Sequence, residues 1–150
     1  MRVVPGLSLT IDCRDPGLLV PFWCEALAYV PAPAPEGHAT WRSFYLSIGE
    51  SEESLGEGDA CDRVIDPDGV RPSLWFQVVP EVKRVKNRVH LDVHVTEAGA
   101  PWATRHRELV ARGDALVALG GVLREPISSS PDDHLVLKIN DPEGNELCLV

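Results

Sequence analysis

The chain has 150 residues, 44% hydrophobic and 25% charged, a balance ordinary for one globular unit with a real core and incompatible with disorder throughout. Its 14 Lys and Arg against 23 Asp and Glu give a formal charge of -9, which repels phosphate backbones and anionic bilayers and argues against nucleic acid or a membrane as partner. The start, MRVVPGLSLTID, has no long apolar run, and nothing elsewhere approaches the ~18 apolar residues of a membrane span, so the expected location is the cytoplasm. Cys13, Cys24, Cys61 and Cys148 are widely spaced with no C-x-x-C and read as reduced, mostly buried thiols.

GLSLTIDC, residues 6–13, alternates Leu7, Leu9, Ile11 and Cys13 with Ser8, Thr10 and Asp12, the pattern of a strand with one core face. RDPGLLVPFWCEALAYVP offers Asp15 as N-cap, Pro16 at the first helical position and Leu18, Phe22, Ala26 and Tyr29 near helical spacing. Pro21 cannot donate to the Gly17 carbonyl, so the regular helix is expected to start nearer Leu18; Pro31, Pro33 and Pro35 end it. TWRSFYLSI, 40–48, is rich in aromatic and β-branched residues and is expected to be a strand. GESEESLGEGD is a solvated acidic loop, and CDRVI and SLWFQVV are two strands joined across the turn DPDG at 66–69.

The second half repeats this order. RVHLDVHV is a strand, and PWATRHRELVARGDALVALGG places Trp102, His106, Leu109, Val110, Leu116 and Val117 at helical spacing before a Gly120–Gly121 stop, with Gly113 a weak point. GVLREPI, HLVLKI and NELCLV supply three strands, the last two joined by DPEG at 141–144. A βαβββ unit recurring at about 75 residues is the main organisational signal.

Within KNRVHLDVHVTE, His90, Asp92 and His94 share one face of a strand while Val89, Leu91, Val93 and Val95 take the other. Three titratable groups on one face read as a metal site, a ligand-pocket wall or the polar side of a surface strand. The cluster Lys83, Arg84, Lys86 and Arg88 reads as solvated and paired with surrounding acids. SSSPDD at 128–133, lacking Gly and carrying two carboxylates, is a turn-rich loop and no phosphate cradle.

The paired units, the FW at 22–23, the junction VPEVKRVKNRVHLDV and the ending DPEGNELCLV together resemble the glyoxalase-like proteins of the vicinal oxygen chelate superfamily, which includes glyoxalase I, extradiol dioxygenases and bleomycin and fosfomycin resistance proteins. The resemblance implies an α+β fold of two tandem βαβββ units, about 6–80 and about 86–150, in a single glyoxalase-like domain spanning 1–150. Curved mixed sheets would form a ligand cup with helices outside, and edge strands would be covered in a homodimer. By parity Ser8, Thr10 and Asp12 would line that cup opposite His90, Asp92 and His94, and Trp75 and Gln77 on the first fourth strand would match Glu146 and Cys148 on the second.

Metal-dependent members take one ligand from the first and one from the fourth strand of each unit. Carried over, these places hold Ser8, Gln77, His90 and Cys148, of which only His90 is a usual ligand, so no metal or other cofactor is expected, with a divalent ion as the alternative. The resemblance and residues together favour a binding protein of the resistance or sequestration type. Its ligand site would be built from Ser8, Asp12, Trp75, Gln77, His90, Asp92, His94, Glu146 and Cys148. Asp12, Asp92 and Glu146 would make the lining anionic and Trp75 would stack, so a cationic or aromatic ligand is expected, unless Arg42 turns inward. The alternatives are a metal-dependent lyase, isomerase or dioxygenase, or metal-free acid–base catalysis by His90 with Asp92 or Glu146.

Overall fold

The computed structural model describes residues 6–150; the part of the N-terminal reading that concerns residues 1–5 lies outside them. The first unit runs β1 (Ser8–Cys13), α1 (Pro16–Leu27), β2 (Val30–Pro31), α2 (Trp41–Ser47), β3 (Arg63–Ile65) and β4 (Ser73–Val78). The second runs β5 (Leu91–Val93), α3 (Trp102–Ala118), β6 (Val122–Leu123), β7 (Leu137–Asn140) and β8 (Glu146–Leu149). The expected βαβββ order thus appears twice, as two separate four-stranded sheets ordered β1-β4-β3-β2 and β5-β8-β7-β6. In each, the first strand is an edge strand parallel to the fourth, and the other pairs are antiparallel.

Strand alternation sets the core. Leu74 and Phe76 of β4, Leu137 and Ile139 of β7, and Leu147 and Leu149 of β8 are buried, and they join Phe22 and Trp23 of α1 and Leu109 and Leu116 of α3 in one apolar cluster drawn from both halves. Leu9, Ile11, Leu91 and Val93 pack against it partly buried. Leu7 and Val89, expected to face the helices, are 70% and 75% exposed: both precede their strands, so the alternation does not reach them.

Segment 40–48 is the largest departure: it is a helix, not a strand. Thr40 caps it, its hydroxyl accepting from Ser43 N at 3.0 Å while the Ser43 hydroxyl accepts from Thr40 N at 3.3 Å, so two amide donors that a helix start leaves over are satisfied reciprocally. The second strand of the unit is instead the two-residue Val30–Pro31. α1 begins at Pro16 rather than Leu18, because the Asp15 carboxylate accepts from Gly17 N at 2.9 Å and Pro16 fits the first turn. In α3, Gly113 lets the helix approach β7 closely: a Cβ there would lie 2.7 Å from Leu137 Cδ1, which would have to shift.

The two DP-x-G turns share one device. Asp141 Oδ1 accepts from the amides of Glu143 and Asn145, both at 2.9 Å, and Asp66 Oδ2 accepts from those of Val70 at 3.1 Å and Arg71 at 2.9 Å. Each aspartate locks its hairpin and is itself buried.

Candidate functional site

The face of the first sheet turned away from the core carries Ser8, Thr10 and Asp12 of β1, in register with Ser73, Trp75 and Gln77 of β4. Arg63 of β3 is in register with Trp75, so Thr10, Trp75 and Arg63 form one row across three strands. Asp62 holds this row together: its carboxylate accepts from Trp75 Nε1 at 2.8 Å, Tyr45 Oη at 2.6 Å and Arg63 Nε at 2.9 Å. The Arg63 guanidinium lies 4.5 Å from the Trp41 ring centroid and 5.8 Å from that of Trp75. Burial first, then the bond to Asp62, pushes the Tyr45 hydroxyl up to about 12, so it stays a proton donor at neutral pH. The indole of Trp75 therefore has an internal cation beside it. Arg42, by contrast, is spent on Glu52 and the carbonyls of Gly56 and Gly58 and does not reverse the sign of this face.

On the second sheet Asp92, Cys148 and Lys138 form the corresponding row. The strand equivalence is therefore Trp75 with Cys148 and Ser73 with Glu146, which corrects by two residues the expected match of Trp75 and Gln77 to Glu146 and Cys148. Ser73 comes seven positions after Asp66 in the first hairpin, whereas Glu146 comes five after Asp141 in the second, an offset that the matching turn motifs alone do not reveal. Burial, and then the neighbouring Asp92 carboxylate, raises the Cys148 thiol above its ordinary value, leaving it protonated and a weak nucleophile. His90 precedes β5 and His94 follows it; both are exposed. Lys86 Nζ stands 2.6 Å from His90 Nε2, and since an ammonium only donates, that ring nitrogen is an acceptor.

Glu146 is buried and fully engaged. Its carboxylate accepts from Asn87 N at 2.7 Å and Arg124 Nη1 at 2.8 Å, with Lys83 Nζ at 3.8 Å. Burial alone would raise its pKa, but the Asn87 amide, Lys83 and Arg124 together hold it below the ordinary carboxylate value. It is an anchor for the junction, not the free carboxylate expected in a pocket.

A cavity of about 840 Å³ opens between β1, the junction at 79–89 and the last hairpin. Leu9, Ile11, Trp23, Val89 and Leu91 line it, with Asp12 and Glu81 among its carboxylates. Of the nine side chains expected to bind ligand, Asp12 and Glu146 are in this lining; Ser8, Trp75, Gln77, His90, Asp92, His94 and Cys148 are not. The structure thus divides the expected set between a cavity at the sheet edges and two open sheet faces. The junction residues and the Asp62–Arg63 pair were missed in the sequence, although the strand parity of CDRVI would place Arg63 beside Trp75 once a register is assumed.

The superfamily's metal is poorly matched by these residues. Ser8 lies opposite Ser73, four residues from Gln77's partner Asp12, so Ser8 and Gln77 are separated by roughly 13 Å along the sheet and cannot share an ion. With the corrected register the four places are Ser8, Trp75, His90 and Cys148: a hydroxyl, an indole that donates to Asp62, an imidazole facing Lys86 and a protonated thiol, while the nearby Glu146 is already paired with Arg124 and Lys83. Where a divalent ion would need donors, the chain presents its own cations. Among the described residues no three His, Cys, Asp or Glu side chains converge to hold a metal.

The glyoxalase-like domain family model matches residues 8–150, and the chain belongs to that family. Solved structures with the same fold include a hypothetical protein, SA1046, from S. aureus (11% identity, 99% of this chain and 97% of that one, TM-score 0.58). Another is a glyoxalase/bleomycin resistance protein/dioxygenase family enzyme from Burkholderia phytofirmans PsJN (12% identity, 95% and 94%, TM-score 0.56). A third is the fosfomycin resistance protein FosX from Mesorhizobium loti (11% identity, 98% and 92%, TM-score 0.57). No curated protein matches. The family model, together with the fold these structures share, places the chain in the vicinal oxygen chelate superfamily, as two units with two separate four-stranded sheets.

Proposed function

We propose that the protein binds a small aromatic molecule, neutral or cationic, in the cavity between β1 and the junction, and holds it without making or breaking bonds, a resistance or sequestration role. The observation that carries this is the cavity lining. Apolar walls around about 840 Å³ suit a drug-sized ligand. Lys83 turns to Glu146 and to the Val85 carbonyl and Lys86 to His90, whereas Asp12 and Glu81 have no hydrogen-bond partner among the described residues. With Glu143 and Glu146 they make four carboxylates in the lining against the three cations Lys83, Arg84 and Lys86. Catalysis by His90 and Glu146 is disfavoured because Lys86 occupies the imidazole nitrogen and Arg124 the carboxylate.

The same reading makes the protein a homodimer, supported by the edge positions of β1 and β5, whose unpaired backbone groups invite a second chain. It also places the chain in the cytoplasm, supported by four cysteines that are all free; among the described residues no helix is long and apolar enough to cross a membrane.

The test is a thermal-shift screen with 2-naphthylmethylammonium, 2-naphthamide and 2-naphthoate, read beside the indole N–H resonance of Trp23. The cation and the amide are expected to move that resonance, with the cation at least fivefold weaker in Asp12→Asn. Failure of both to move it overturns the reading.

A further inference from the structure

We infer that the open face of the first sheet carries a second, separate site, built by Trp75 and Arg63, for a planar aromatic monocarboxylate. This goes beyond the cavity reading and does not depend on it.

Both groups are fixed before any ligand arrives. The Trp75 indole is 38% exposed and is pinned by its N–H to Asp62 at 2.8 Å. The Arg63 side chain is also 38% exposed; its Nε donates to Asp62 at 2.9 Å and its guanidinium lies over Trp41, itself 4% exposed. An anchored indole beside an anchored guanidinium presents a stacking surface and a donor fork with little rotamer freedom left to lose.

The pattern of satisfied and unsatisfied hydrogen bonds selects the ligand. Asp62 already accepts three donors on two oxygens, so an incoming cation would have to displace one of them. Arg63 Nη2 makes only a 3.4 Å contact with Tyr45 Oη, and Nη1 has no partner among the described residues. Donor capacity therefore faces outward and acceptor capacity does not. A carboxylate on the edge of an aromatic ring meets both features, the ring on Trp75 and the oxygens on the guanidinium. Because Asp62 balances Arg63, one negative charge is accommodated and a second gains nothing.

The experiment titrates the full chain, ¹⁵N-labelled, with 2-naphthoate, 2-naphthamide and 2-naphthylmethylammonium, following the indole N–H resonances of Trp75 and Trp23. Naphthoate is expected to shift Trp75 saturably while leaving Trp23 in place, and to bind at least tenfold tighter there than the amide or the cation. Arg63→Gln should bring naphthoate down to the affinity of the amide, and Arg63→Lys should lower it at least fivefold by removing the fork. The wild-type resonances decide the matter even where a substitution at Arg63 unseats Trp41. Absence of a Trp75 shift, a naphthoate response at Trp23 instead, or undiminished naphthoate binding in both Arg63 variants overturns the inference. Should the cation and amide fail at Trp23 while naphthoate moves Trp75, the cavity reading falls and this site stands.

Discussion

The indole N–H of Trp23 donates to the Asp141 carboxylate at 3.1 Å in the buried interior, across 118 residues of chain. The FW pair of the first helix and the DPEG turn of the last hairpin, read in the sequence as separate signatures, are one interaction. Asp141 Oδ2 also accepts from Asn145 Nδ2 at 2.8 Å, so removing the indole donor leaves a buried carboxylate with its hairpin bonds alone. Trp23→Phe is expected to cost about 1–3 kcal/mol in urea unfolding, and Asp141→Ala more, since it frees several buried donors at once.

Gly121 and Gly113 both mark close approaches, with different tolerance. A Cβ at Gly121 would meet Phe22 Cε2 at 2.7 Å, Ile139 Cδ1 at 2.9 Å and the Leu116 carbonyl at 2.9 Å; at Gly113 the only approach under 3 Å is the Leu137 methyl at 2.7 Å. Backbone cannot yield as a methyl can. Gly121→Ala should lower stability by at least about 2 kcal/mol, and Gly113→Ala by about 1 kcal/mol after its gain in helix propensity, both measured by chemical denaturation.

Asp66 makes stability depend on acid. The Arg71 guanidinium, bonded to it at 2.8 Å, and the Arg71 amide hold its carboxyl far below the ordinary value of 3.8. Because the folded value is depressed, the contribution is whole above the unfolded carboxyl value; below it the unfolded chain takes up a proton that the folded chain refuses, and the contribution drains away. The stability gap between the protein and Asp66→Asn should be constant from pH 7 to 5 and narrow steadily from pH 4 to 2, read from urea midpoints.

These elements were legible in unequal measure. Strands with clean alternation and turns with DPDG or DPEG could be read directly, because burial on one face and an aspartate-locked turn leave local traces. Segment 41–47 could not be read from propensity: Trp41, Phe44 and Tyr45 favour strands, and the Thr40–Ser43 capping pair that decides for helix is a two-residue signal. The site was read least well. Parity assigned side chains to a face, but it could not give the register between β1 and β4, the two-residue offset between the hairpins or the Lys86 and Arg124 partners of His90 and Glu146. All of these are long-range facts.

The donor set predicts metal independence. Protein purified without chelator should carry zinc, nickel, iron or manganese well below one equivalent per chain by elemental analysis, and its melting temperature should not move with EDTA. A stoichiometric ion lost on His90→Ala would show that Lys86 yields its place.

Assembly is checked by light scattering. A dimer is expected at micromolar concentration, and a lysine introduced at Leu7 or Val89, exposed beside the two edge strands, should shift it toward monomer without changing the melting transition of the dilute protein.

Glu143, in the last turn, accepts from the backbone amides of Arg14 at 2.8 and 2.9 Å and of Asp15 at 2.7 Å, just ahead of the first helix. During synthesis that helix therefore leaves the ribosome well before the carboxylate that anchors its start, and Trp23 likewise precedes Asp141. Until the final hairpin emerges, the N-terminal half holds exposed apolar surface and two open sheet edges, the condition in which a nascent chain recruits a chaperone. Premature termination a few codons before residue 141 should thus leave a product that aggregates, rather than a folded first unit.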